Sequence, residues 1–101
     1  MAMLSVSIRR EWNDLFVKQL LRIFFADKAI QELLIERGKD KGPYINITVK
    51  CRSGVAQWKK MKSKLNRLPG FRGKAIVICT GKEGWNDYID LQHFNQFKKS
   101  S

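Results

Sequence analysis

Tyr44-Ile-Asn-Ile-Thr-Val-Lys-Cys51 alternates apolar and polar side chains almost without interruption. A pleated strand turns successive side chains to opposite faces, so this stretch reads as a half-buried strand. Ile45, Ile47, Val49 and Cys51 point to a core; Tyr44, Asn46, Thr48 and Lys50 point away from it. Ser53-Gly54 then leads into a helix with Val55, Trp58, Met61, Leu65 and Leu68 along one side, ended by Pro69-Gly70. Ala75-Ile-Val-Ile-Cys79 follows, apolar at every position, as a central strand covered on both faces would be. A strand, a helix and a second strand suggest a crossover, right-handed if the two strands pair in parallel.

The flanking sequence fits around this unit. From Ser7 onward, Trp12, Phe16, Leu20, Ile23 and Phe24 recur at three- and four-residue steps, which predicts an amphipathic helix to about Phe25. Ser7 suits its N-cap, with Glu11 one turn in. Ala29 to Arg37 reads either as a second short helix closed by Gly38 or as a strand, Ile30 to Glu36; propensity leans to helix. One helix from Ser7 to Arg37 would run ~45 Å, too long for a domain of this size, so a break is expected at Asp27-Lys28. Gly38 to Pro43 and Gly81 to Gly84 are turns, Asp87 to Leu91 a short edge strand, and Phe94 and Phe97 are spaced for a final helical turn. The expected fold is one α/β or α+β domain over residues 1–101. It has an N-terminal helix, a mixed three- to four-stranded sheet, a basic crossover helix and a short C-terminal helix.

Charge singles out the same unit. Lys41 to Lys82 contains eleven Lys or Arg residues and no Asp or Glu, and the rest of the chain nearly cancels. The net charge of +11 therefore sits in one block. Like charges at i,i+4 destabilise a helix, so a field of one sign needs a reason. A polyanion is the default partner: nucleic acid first, an acidic membrane surface second. Lys59, Lys60, Lys62, Lys64 and Arg67 would supply phosphate contacts from the helix, and Lys50, Arg52, Arg72 and Lys74 from the strand ends. No base-reading motif is visible, so weak sequence preference is expected. Tyr44, Trp58 and Trp85 are aromatics that could stack on bases; Trp58 fits the core better, and Trp85, in a glycine turn, is the exposed candidate.

Other classes fall away. One His and no Cys pair at ligand spacing argue against structural zinc. Cys51 and Cys79 read as buried thiols in a reducing compartment, although a bond under oxidation would be open to them if their strands were neighbours. Charges at Arg9, Arg10, Glu11 and Asp14 interrupt any signal-peptide core, and no apolar run approaches the ~20 residues of a membrane span. The expectation is a cytoplasmic, nucleoid or nuclear protein, not secreted and without a membrane partner. It would act as a homodimer or as a subunit of a nucleoprotein complex.

The strand Ile45-Asn-Ile-Thr48-Val49-Lys50, the basic helix and Gly73-Lys-Ala-Ile-Val-Ile78 together resemble the restriction-endonuclease-like PD-(D/E)XK fold, small Holliday-junction resolvases in particular. The resemblance covers about Glu32 to Phe97. It implies that Lys50 is the motif lysine and Val49 the spacer, with Glu32, Glu36 or Asp40 as the first acid and Glu11 as the extra helical Glu of many resolvases. Thr48 stands where the second carboxylate belongs and has no charge to hold Mg²⁺. The resemblance thus implies a scaffold that binds DNA without cutting it, with Mg²⁺-dependent structure-specific cleavage as the alternative. A second likeness, on Tyr44–Lys50, Ala75–Lys82 and a short strand leading to Asp90–Phe97, is to the RNA-binding proteins of the signal recognition particle Alu domain, which grip folded RNA on a basic curved sheet. DNA ranks ahead of RNA, and no cofactor is expected unless the chain is catalytic.

Overall fold

The computed structural model describes residues 2–93. The elements run β1 (Ala2–Ile8), α1 (Asp14–Phe25), β2 (Glu32–Gly38), β3 (Tyr44–Cys51), α2 (Gly54–Asn66), β4 (Ala75–Gly81) and β5 (Gly84–Gln92). The strands form one antiparallel sheet in the order β2-β3-β1-β4-β5. Through β4 this is the connectivity of the split βαβ, or ferredoxin-like, motif. β5 extends it as a hairpin on the β4 edge.

β1, a strand where no element was expected before the first helix, organises the rest of the sheet. Leu4, Val6 and Ile8 alternate with Met3, Ser5 and Ser7, which is a strand signal. It pairs with β3 on one side (Ser7 opposite Asn46) and with β4 on the other (Ser7 opposite Ile76). β3 and β4 therefore run in the same direction without touching. The two strands do not pair with each other, and the sheet is antiparallel and five-stranded, not mixed with three or four strands.

The first helix also begins later than its periodicity suggests. Ser7 lies in β1, and the N-cap is Asn13, whose Oδ1 accepts from the Phe16 amide at 2.9 Å. Trp12 belongs to the connector, where its indole N–H donates to Asp14 Oδ1 at 2.9 Å. The expected break is present: the helix closes at Ala26, and Asp27 Oδ1 accepts from the Ala29 amide at 2.9 Å. Beyond it, Glu32–Gly38 is a strand and not the helix that propensity favoured. Leu33 and Ile35 turn inward and the ladder with β3 pairs one side of the backbone, so tertiary pairing overrides local preference. Gly38, expected as a helix cap, instead ends β2 with the Tyr44 ring where a Cβ would sit.

Both helices cover one face of the sheet. Phe16, Leu20 and Phe24 from α1, and Trp58, Met61 and Leu65 from α2, close on Leu4, Val6, Ile8, Ile45, Ile47, Val49 and Val77. Ile76 and Ile78 lie on the opposite, open face and are only half-buried, so β4 is covered on one face, not two. The turn between β2 and β3 holds Lys41 (φ 58°) and Gly42 (φ 105°) in the left-handed region. The final helical turn expected at Phe94 and Phe97 lies outside the described residues.

The cysteines are buried on the helix-covered face, on either side of β1: Cys51 lies opposite Ala2 and Cys79 opposite Leu4. Two strand spacings, roughly 10 Å, exceed the reach of a disulfide, so their strands are not the neighbours a bond would need. Loss of hydration pushes both thiols up from their ordinary pKa, Cys51 further under the influence of Cys79 and Asp27. We expect a water-soluble thiol reagent to leave both unlabelled in the folded protein near neutral pH and to label both once denaturant is added. Rapid labelling of either one in the native state would contradict this burial.

Candidate functional site

α2 starts where Ser53 Oγ accepts from the Ala56 amide at 3.3 Å, and it contains no acidic residue. Gly54, Gln57, Trp58, Met61 and Leu65 face the core, while Val55, Ala56, Lys59, Lys60, Lys62, Ser63 and Lys64 are exposed. The packing of Trp58, Met61 and Leu65 holds the helix in place despite the repulsion between Lys60 and Lys64, which would by itself cost about 0.2–0.5 kcal/mol. Lys64 in the last turn is favourably placed against the helix dipole.

The lysines leave α2 along two flanks. Lys60 and Lys64 border a hollow of about 280 Å³ beside the end of α1, with Ile23, Ala26, Asp27 and Lys28. Lys59 and Lys62 border a second, of about 520 Å³, on the β5 side with Ser63, Asn66, Arg72, Leu91 and Gln92. On the first flank, Asp27 accepts from the Ala29 amide and, at 2.7 Å, from Gln57 Nε2. Those two hydrogen bonds, ahead of Lys60 and Lys64, hold its carboxyl below the usual range. On the second flank, buried Gln92 and Asn66 exchange amide hydrogen bonds at 3.0 and 3.1 Å and tie the end of β5 to α2.

The remaining basic candidates fall in different places. Arg67 caps α2, and Arg52 lies just before its N-cap; both are exposed. Arg72 and Lys74 are exposed in the loop after α2. Lys50 is separated from all the α2 lysines, because its side chain is on the open face of the sheet, opposite Glu32 in register. The strand's polar face and the basic helix thus lie on opposite sides of the sheet. That open face carries Lys50, and Arg9 at its end, against Glu32, Glu36 and Asp90. Its two middle strands present Ser5, Ser7, Asn46 and Thr48, with Ser7 Oγ hydrogen-bonded to Asn46 Oδ1.

The carboxylates named for metal chemistry are spread out. Glu32 and Glu36 sit four residues apart on the edge strand β2, and Asp40 is in the following turn. Glu11, expected on the first helix, is in the irregular segment before α1. It borders a hollow of about 480 Å³ with Trp12, Arg37, Gly38, Lys39, Pro43 and Tyr44. Among the described residues, no group of three or more His, Cys, Asp or Glu side chains is placed to hold a metal ion.

Trp58 is in the core at 3 % exposure, and Trp85 is exposed near the start of β5. Lys18 and Arg22, exposed on α1, and Lys28 just after it add to the basic surface, although acids nearly balance the bases of the N-terminal segment as a whole. Two further cations have structural roles: Arg10 stacks on Phe16 at 3.9 Å, and Arg37 lies over Trp12 at 5.3 Å. No helix among the described residues is long and apolar enough to cross a membrane. In comparisons with known proteins, no family model, no curated protein and no solved structure matches this chain.

Proposed function

We propose that this chain is a nucleic-acid-binding domain that grips the phosphate backbone of DNA with its helical face and does not cut it. The observation that carries this reading is the division of charge between the two faces. The helical side presents Lys18, Arg22, Lys28, Lys59, Lys60, Lys62, Lys64 and Arg67, while acids outnumber bases on the open sheet face. That open face also argues against single-strand binding by the sheet, which depends on aromatics from the middle strands stacking on bases. Here the middle strands present Ser5, Ser7, Asn46 and Thr48, and Tyr44, the one aromatic on that face of β3, lies over Gly38 at the start of the strand. A phosphate-gripping helix without base-reading groups suits a general-affinity subunit of a nucleoprotein complex.

Four lysines and Arg67 each neutralising one phosphate give a slope of log K against log salt of about −4.5. Equilibrium binding to a fluorescent DNA duplex between about 50 and about 200 mM salt measures it directly. An affinity that hardly changes over that range would remove the phosphate account. Mg²⁺-dependent cleavage is a second reading, favoured by the register that sets Glu32 opposite Lys50. DNA cut only with Mg²⁺, and left intact by Lys50→Ala, would decide for it.

A further inference from the structure

The distribution of side chains around α2 points beyond general phosphate affinity. At about 100° per residue, Ala56 and Ser63, two turns apart, share one line along the crest of the exposed surface. Lys59 and Lys62 lie roughly 50° and 110° to one side of that line, and Lys60 and Lys64 roughly 50° and 90° to the other. The two hollows confirm the division: one flank meets α1 and the other meets β5. A helix with a small, neutral crest and a cationic row on each flank has the cross-section of an object lying between two anionic walls.

We propose that α2 is a groove helix, lying in the major groove of B-form duplex DNA with one lysine row on each phosphate wall. This rests on the nucleic-acid reading above and names the form of polymer that the site takes. The dimensions agree: a helix with its side chains is about 10–12 Å across, and the B-form major groove is about 12 Å wide. Lysine stems reaching sideways bring their ammonium groups to both walls, while Ala56 and Ser63 let the crest approach the base edges. The major groove of A-form RNA is too narrow for side chains to enter. A single strand offers no second wall, and the exposed side of α2 has no aromatic on which to stack bases. On the α1 side, Lys28 borders the same hollow as Lys60 and Lys64, continuing the cationic row beyond the helix.

The test uses the full chain and four probes of equal length and mixed sequence: duplex DNA, duplex RNA, single-stranded DNA and single-stranded RNA. Duplex DNA is expected to bind at least about tenfold more tightly than the other three. Ala56→Trp and Ser63→Trp, which keep every charge but raise the crest, are each expected to weaken duplex DNA binding at least about tenfold, with an unchanged thermal unfolding midpoint to show that the fold persists. Binding of all four probes within about threefold of one another overturns the groove helix and leaves the nucleic-acid reading standing. Tight duplex DNA binding that neither tryptophan disturbs also overturns it, since the lysines would then grip from outside the groove. Failure to bind any probe at low salt overturns both.

Discussion

Replacing Lys59, Lys60, Lys62 and Lys64 together with alanine is expected to lower DNA affinity roughly 100- to 1,000-fold near physiological salt and to flatten the salt slope by about 3.6. Each lost phosphate contact forfeits one released counterion, which is why the two quantities move together. The fold should not suffer. All four side chains are exposed, alanine is at least as good a helix former as lysine, and the Lys60–Lys64 repulsion disappears. Asp27 loses two favourable charges but keeps its hydrogen bonds to Ala29 and Gln57. The thermal midpoint should therefore hold or rise while binding collapses, a combination that misfolding cannot produce. Lys50→Ala is the internal comparison: its side chain is on the open face, so the loss there should stay below about threefold. Equal losses from Lys50→Ala and the quadruple variant would move the interface to the sheet.

The second large effect concerns stability. Phe71→Ala is expected to cost about 3–5 kcal/mol, the range for emptying a fully buried aromatic site. Phe71 has no exposed surface, although it sits in the short loop between α2 and β4. The loop is bent to bring it there: Gly70 and Gly73 both take positive φ, Phe71 N donates to the Leu68 carbonyl at 3.1 Å, and Lys74 N donates to the Phe71 carbonyl at 3.0 Å. A domain of this kind has only about 5–15 kcal/mol in total, so urea unfolding should show a sharply lowered midpoint. Leu15→Ala, at a side chain 66 % exposed, should change stability by no more than about 0.5 kcal/mol. A loss under about 1 kcal/mol for Phe71→Ala would mean that the loop does not plug the core.

Phe71 also marks a boundary in what could be read from residues alone. Pro69-Gly70 announces a turn, and an aromatic beside it looks like an ordinary loop residue, since nothing local says that the loop folds inward. Trp12 misled in the other direction. It continues the spacing of Phe16 and Leu20 backward by one turn and makes a helix seem to start at Ser7. The cap at Asn13 and the strand alternation of Leu4, Val6 and Ile8 were both present in the sequence, and the longer period hid them. On the candidate site, the α2 lysines and their exposure were legible because charge and helical period are properties of one segment. Lys50 lies near them in sequence, but a strand-to-helix turn does not show which side of a sheet each group reaches.

What the sequence determined by itself is therefore local: the inward face of β3, the inward Trp58, Met61 and Leu65 of α2 with its exposed lysines, the break at Asp27 and the hairpin turn before β5, whereas Val55, expected on the inward side of α2, is exposed. Each follows from a periodicity, a cap or a turn residue within a few positions. Only the tertiary structure decided that residues 2–8 insert between β3 and β4, that Glu32–Gly38 is a strand, and that Lys50 and the lysine helix end on opposite sides. Those outcomes depend on strand pairing between segments far apart along the chain, as in the registers that set Ser7 opposite Asn46 on one side and Ile76 on the other. A strand can satisfy its backbone only against a partner, and no single segment carries the identity of that partner.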